Sequence, residues 1–357
     1  MNSTEIIEHK ELGFDNQKYL TLQQEALTKR LEKFKGGTLY LEIGGKFLYD
    51  PHAQRVLPGF NPSVKPEIVK NINTPYELLF CVNAEDIQNN RMLNNHNEAY
   101  LDAIWRIMKE YQETFPVKFS VAINMVRDVT SELSSFATKL RDSQVQVAYR
   151  YIIDGYPDPK AAVGPLGYEK DEFIETKAPL VLVIGPASNS GKLSTCLGQL
   201  YHDIKQGKNS GYAKYELFPI WNLPLKHPVN LAYEAATADI GDFNLYDYHH
   251  ENAYRIDAVN YNRDVEAFPI ITGLLKEFIP KDNYMQNYRS PTDMGMNNAG
   301  YAIYNDAVVA AAATAEISRR KEWFLQQYEE NRGKLAWVER CEALEKEAAS
   351  YRTLSPQ

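Results

Sequence analysis

The segment VLVIGPASNSGKLSTCLGQL, from Val181 to Leu200, holds the residues with the clearest chemical potential. An apolar run, a small-residue turn and then Gly191-Lys192 follow the order of a phosphate-binding loop. In such a loop backbone N–H groups cradle phosphates and a lysine reaches the outer ones. The segment departs from G-x-x-x-x-G-K-[ST] at two positions: Pro186 replaces the leading glycine and Leu193 replaces the magnesium-binding hydroxyl. Ser188, Ser190, Gly191 and Lys192 would hold the phosphates, and Ser194 or Thr195 would supply the metal-binding hydroxyl if the loop is wider. A lysine opening a helix opposes the helix dipole, and a bound anion would reverse that cost.

Four other stretches combine polar groups. KHPVNLAYEAATAD, Lys226 to Asp239, places His227, Asn230 and Glu234 on one stripe of an otherwise apolar helix. That stripe must meet either a ligand or a structural partner; the second reading makes His227 an N-cap before Pro228. VNYNRDVEAFPII offers Arg263 for a phosphate or carboxylate, and Asp264 as base or metal ligand. SPTDMGMNNAGY adds Asp293, which would either act catalytically or cap a turn. LEIGGKFLYDPHAQRVLPGF gathers Lys46, His52 and Arg55 around glycines and a proline, where they would meet an anionic substrate or simply build a loop. Cys196 reads as core packing, His202 as packed, and His249-His250 as a weak metal signal.

The elements that must position these groups alternate between strand and helix. ELLFCV, KFSVAIN, VQVAYRYI and LVLVIG read as strands, with helices at Glu98 to Glu113 and Ser131 to Arg141. This alternation predicts an α/β fold, a mostly parallel sheet with helices on both faces, in which the uniformly apolar LVLVI is a central strand. A helix from Asn16 to Phe34 with Asp15 as N-cap precedes them, and Gly44-Gly45 predicts a tight hairpin between TLYLEI and KFLY. The expected organisation is an N-terminal α/β region at 1–172, a P-loop-like α/β region with long loops at 173–306, and a helical extension at 307–357.

Bulk properties narrow the functional classes. The chain has 357 residues and a net charge of -8 with scattered basic residues, which argues against nucleic acid as a partner. Three cysteines suit neither a disulfide framework nor a thiolate zinc site. No apolar run approaches the length of a membrane span and the N-terminus lacks a signal pattern, so a cytoplasmic location is expected.

GFDNQKYL, LEIGGKFLYDPHAQRVLPGF, SGKLSTCLGQLYHD, KYELFPIWNLPLKHPVNLAYEAATAD, VNYNRDVEAFP and SPTDMG together resemble a bacterial family defined as a domain of unknown function. The resemblance implies a longer chain continuing into another α/β domain at the C-terminus. Some members are labelled ATP-dependent peptidases, but neither a G-x-S-x-G elbow nor an H-E-x-x-H pair accompanies the loop here. The leading expectation is an enzyme using a nucleotide, ATP with Mg2+, for phosphoryl transfer or ligation on a small anionic molecule. Lys192, Glu234, Arg263, Asp264 and Asp293 would be catalytic, Ser194, Thr195 and Asp264 would hold the metal, and Lys46, His52, Arg55, His227 and Asn230 would bind substrate. The alternatives are a non-catalytic sensor of a nucleotide or phosphometabolite, and a structural subunit of a homo-oligomer.

Overall fold

The computed structural model describes residues 5–90, 92–93, 98–186 and 189–351. Seven strands form one sheet: β1 (Leu39–Ile43), β2 (Tyr76–Asn83), β3 (Phe119–Val126), β4 (Gln146–Tyr151), β5 (Leu180–Ile184), β6 (Gly211–Tyr215) and β7 (Gly295–Met296). Their spatial order is β7-β6-β1-β5-β2-β3-β4, and every pairing is parallel. The apolar run LVLVI is β5, central and buried along its whole length, as a strand covered on both faces requires. The boundary expected at residue 172 falls inside this sheet, which draws strands from both sides of it and shares one core.

The expected hairpin at Gly44-Gly45 does not form. β1 is already paired on both edges, with β5 and β6, so no edge remains for a returning strand. Gly45 (φ +63°) instead turns the chain toward helix α2 (Pro51–Val56), which leads on to α3 (Val64–Lys70). α1 (Asn16–Lys33) is capped by Asp15, whose carboxylate accepts from Lys18 N at 2.9 Å.

α4 (Tyr100–Thr114) and α5 (Ser131–Asp142) follow β2 and β3, and α6 (Lys192–Lys205) opens directly after the turn beyond β5. The chain leaving β5 crosses to β6, whereas the chain leaving β2 moves outward to β3. Diverging connections of this kind open a crevice beyond the carboxyl ends of the strands.

Beyond α7 (Pro228–Ala236), the stretch that reads as loop-rich contains a 17-residue helix, α8 (Asn262–Phe278). Pro269 lies inside it and breaks the sequence signal for a helix, because proline removes an amide donor from the ladder. The helical tail is a hairpin of α9 (Asp306–Glu329) and α10 (Leu335–Ala349), and α9 packs on α7 and α2. Among the described residues, no helix is long and apolar enough to cross a membrane.

Candidate functional site

A cavity of about 900 Å³ lies at the carboxyl edge of the sheet, lined by residues from the ends of β1, β3, β4 and β6, from the turn after β5, and from α6, α8 and α9. Its first wall is the turn into α6. Gly191 is the N-cap, in the left-handed region (φ +84°), and a Cβ there would lie 2.7 Å from the Asn124 side chain. Asn124 braces the turn: its Nδ2 donates to Ser190 O at 2.8 Å, and its Oδ1 accepts from Thr195 Oγ1 at 2.9 Å.

Thr195 is therefore fully buried and committed beneath the turn, which corrects its reading as a phosphate or metal ligand. Ser194 does line the cavity, while Ser188 lies outside the described residues. Ser190 Oγ is buried without a hydrogen-bond partner among the described residues. Lys192, the first residue of α6, is half-buried on the cavity wall and has neither a hydrogen bond nor an ion pair with any described residue.

Beneath this turn Arg150, on β4, pairs with Asp171 at 2.9 Å and donates to Ser194 O at 3.1 Å. Gly198 makes room for that guanidinium, since a Cβ there would fall 1.7 Å from Nη2.

The second wall is an ionic cluster on β1, β6 and α8. The Lys214 ammonium donates to Asp264, lies 3.8 Å from Glu216 and donates to Tyr261 Oη at 3.3 Å. Tyr261 in turn donates to Glu216 at 3.3 Å, and Tyr212 donates to Glu42 at 2.7 Å. Burial, reinforced by the charges of Asp264 and Glu42 against the pull of Lys214, raises the Glu216 carboxyl to about 7. Asp264 is neutralised by Lys214 rather than free for a metal. Among the described residues, no group of three or more His, Cys, Asp or Glu is arranged to hold a metal ion.

The raised carboxyl of Glu216 has a testable sign. The folded state keeps this proton to higher pH than the unfolded chain, so the stability it contributes is complete below the ordinary glutamate range. That stability is lost as pH rises to about 7. Glu216→Gln removes the titration, so its stability relative to wild type should rise between pH 5 and pH 8. The slope should be at most about 1.4 kcal/mol per pH unit, read from urea melts of both proteins.

The third wall joins the loop after β1 with α2, α3 and α9. Lys65 pairs with Asp50 at 2.7 Å and donates to Lys46 O at 2.8 Å. Arg55 holds Glu316 through two bonds, Nε at 2.8 Å and Nη2 at 2.9 Å, and donates to Glu5 O. His52 Nδ1 lies 3.2 Å from the same carboxylate, and its buried Nε2 lacks a partner among the described residues. Burial opposes ionisation of Glu316, but its bonds from His52 and Arg55 prevail and hold the carboxyl at about 2. Burial also lowers His52 and outweighs the pull of Glu316, leaving the imidazole neutral at pH 7.

The structure thus brings Ser190, Gly191, Lys192, Ser194, Arg263, Asp264, Lys46, His52 and Arg55 to one cavity. Arg263 is held there by Asp242 at 2.7 Å.

Four expected residues do other work. Glu234 accepts from Asn244 N and pairs with Arg340, tying α7 to α10. Asn230 accepts from Ile220 N and donates to Ile220 O. His227 caps α7 through Val229 N and pairs with Asp306 at 2.8 Å. Each polar group of that stripe meets a structural partner, so the catalytic reading of Glu234 and the substrate reading of His227 and Asn230 are corrected. Asp293 sits on a smaller cavity elsewhere, accepting from Tyr254 Oη and Arg289 N. Nearby, the contact of His250 with Ser290 Oγ at 2.9 Å makes no hydrolase, because Ser290 is fully buried and caps a helical turn.

Glu42, Asn124, Arg150, Lys214, Glu216 and Arg320 are cavity residues that motif reading passes over. For Glu42, Arg150 and Lys214 the signal is a lone charge within an otherwise apolar strand, as in LYLEI, VAYRY and GYAKY; Asn124, Glu216 and Arg320 carry none.

Fold and cavity define an α/β protein with a seven-stranded parallel sheet and a charged cavity at its carboxyl edge. The chain belongs to the family described as "Domain of unknown function DUF1846, N-terminal", whose model matches residues 12–349. It is 42% identical over 310 residues to a UPF0371 protein of Clostridium tetani, covering 87% of this chain and 61% of that protein. A UPF0371 protein of Corynebacterium diphtheriae is 43% identical over 311 residues (87% and 61%), and one of Fusobacterium nucleatum 41% over 310 (87% and 60%). The chain spans about three fifths of the length of these relatives.

Proposed function

We propose that this chain carries the nucleotide site of a phosphoryl-transfer or ligase-type enzyme acting on a small anionic molecule. The observation supporting this reading is Lys192: an ammonium that no described residue pairs, at the start of α6 on the wall of a large cavity. Helix-start amides and the dipole favour an anion at that place, and the lysine supplies the remaining charge. Magnesium would arrive with the phosphates: among the described residues Ser194 offers a hydroxyl on the cavity wall, while Thr195 is committed to Asn124. Glu216, poised near neutrality, is the group suited to take a proton from an attacking nucleophile.

The test is a thermal-shift titration with ATP, with and without magnesium, on wild type and Lys192→Ala. At about one hundred times Kd a ligand stabilises by roughly 2.7 kcal/mol. The wild type should show this stabilisation and Lys192→Ala should lose most of it. Equal shifts in both proteins, or none in either, would reject the site. Stabilisation without magnesium-dependent turnover would favour the non-catalytic sensor.

A further inference from the structure

The third wall of the cavity carries a charge excess. Four cations stand there, Lys46, Arg55, Lys65 and Arg320, against two carboxylates, Asp50 and Glu316. Asp50 is matched to Lys65 and Glu316 to Arg55, which leaves two positive charges over, on Lys46 and Arg320. Neither has a hydrogen bond from its cationic group or an ion pair among the described residues. The Arg320 guanidinium lies 5.1 Å from the Trp323 ring centroid and 5.9 Å from that of Phe324, so aromatic faces orient it without neutralising it. Asp239 is close enough to influence Arg320 electrostatically but makes no ion pair with it. The neighbouring His52 is neutral and adds nothing to the tally.

Arg320 is half-buried on the cavity wall and Lys46 stands exposed at its edge, so a counter-charge held between them would chiefly relieve Arg320. Burial lowers the affinity of Arg320 for its proton. The cost is offset when an anion is held between them.

We propose that Lys46 and Arg320 form a second anion subsite in the same cavity, which binds a phosphate monoester group on the acceptor substrate. A carboxylate would answer one of the two charges; a phosphate monoester carries close to two at neutral pH and offers three acceptor oxygens. The guanidinium can bind two of them side by side, and the ammonium meets the third. The assignment rests on the phosphoryl-transfer reading for the role of its ligand as acceptor. Its residues, however, are distinct from the Gly191-Lys192 turn.

Calorimetric titration with inorganic phosphate at pH 7.5 separates the two. Wild type should bind phosphate at two sites. In a Lys192→Ala background the remaining site should weaken about tenfold or more when Lys46→Met or Arg320→Gln is added. Lys46→Arg should retain it. Lys46 has no protein partner to lose, so Lys46→Met keeps the fold, as unchanged circular dichroism and melting would show. Lys192→Ala protein that binds no phosphate, or whose binding is indifferent to both added substitutions, would overturn the subsite. Two phosphate sites persisting in Lys192→Ala, one of them sensitive to Lys46→Met, would support this subsite and instead reject the Gly191-Lys192 cradle.

Discussion

Arg150→Met is expected to destabilise the protein by roughly 3–5 kcal/mol, because it strands a buried charge. Arg150 and Asp171 are 3% and 2% exposed and lie 2.9 Å apart, so among the described residues the carboxylate would be left with Tyr151 N, 2.7 Å away, as donor. The same guanidinium holds Ser194 O, in the first turn of α6, so the substitution also loosens the turn that presents Lys192. Adding Asp171→Asn should restore much of the stability: the amide keeps an oxygen for Tyr151 N and no longer needs a counter-charge. Urea melts of the two single variants and the double variant measure this directly. Strict additivity would show that Arg150 and Asp171 do not stabilise the fold as a pair.

Lys214→Met should be the second severe lesion, with a distinct dependence on pH. Lys214 is the cation at the centre of Asp264, Glu216 and Glu42, all within a buried wall. Without it, carboxylates must share a low-dielectric site, and loss of one partner of such a network costs roughly 3–5 kcal/mol near neutral pH. Their proton affinities in the folded state would rise above those in the unfolded chain. Stability would then be greatest at low pH and fall as pH increases through the raised folded values. The deficit of Lys214→Met against wild type should therefore shrink from pH 8 to pH 5. A deficit of constant size would mean that packing, not charge, is what Lys214 contributes.

How much of this was legible in the sequence follows from the range of the forces involved. The buried strand LVLVI, the helix opening at Lys192, the Asp15 cap and the His227 cap before Pro228 are local patterns, and each forms as its residues dictate. The polar stripe His227, Asn230, Glu234 does meet partners, but Asp306, Ile220, Asn244 and Arg340 lie on segments that only tertiary packing brings near. The hairpin failed for a similar reason: whether Gly44-Gly45 reverses the chain depends on which strands already occupy the edges of β1. The ionic wall was hidden because Glu42, Lys214, Glu216 and Asp264 come from three distant stretches. Asp264 stands out in its own stretch, but Glu42, Lys214 and Glu216 acquire their chemistry only when the sheet order sets β1 beside β6.

The central claim is that an anion rests on the amides opening α6 beside the Lys192 ammonium. A crystal structure of this chain with magnesium and a non-hydrolysable ATP analogue examines it most directly. The outer phosphates should lie within hydrogen-bond reach of Lys192 Nζ and of the Gly191 and Leu193 amides. An analogue bound away from α6, or saturating analogue with that turn left vacant, would contradict it.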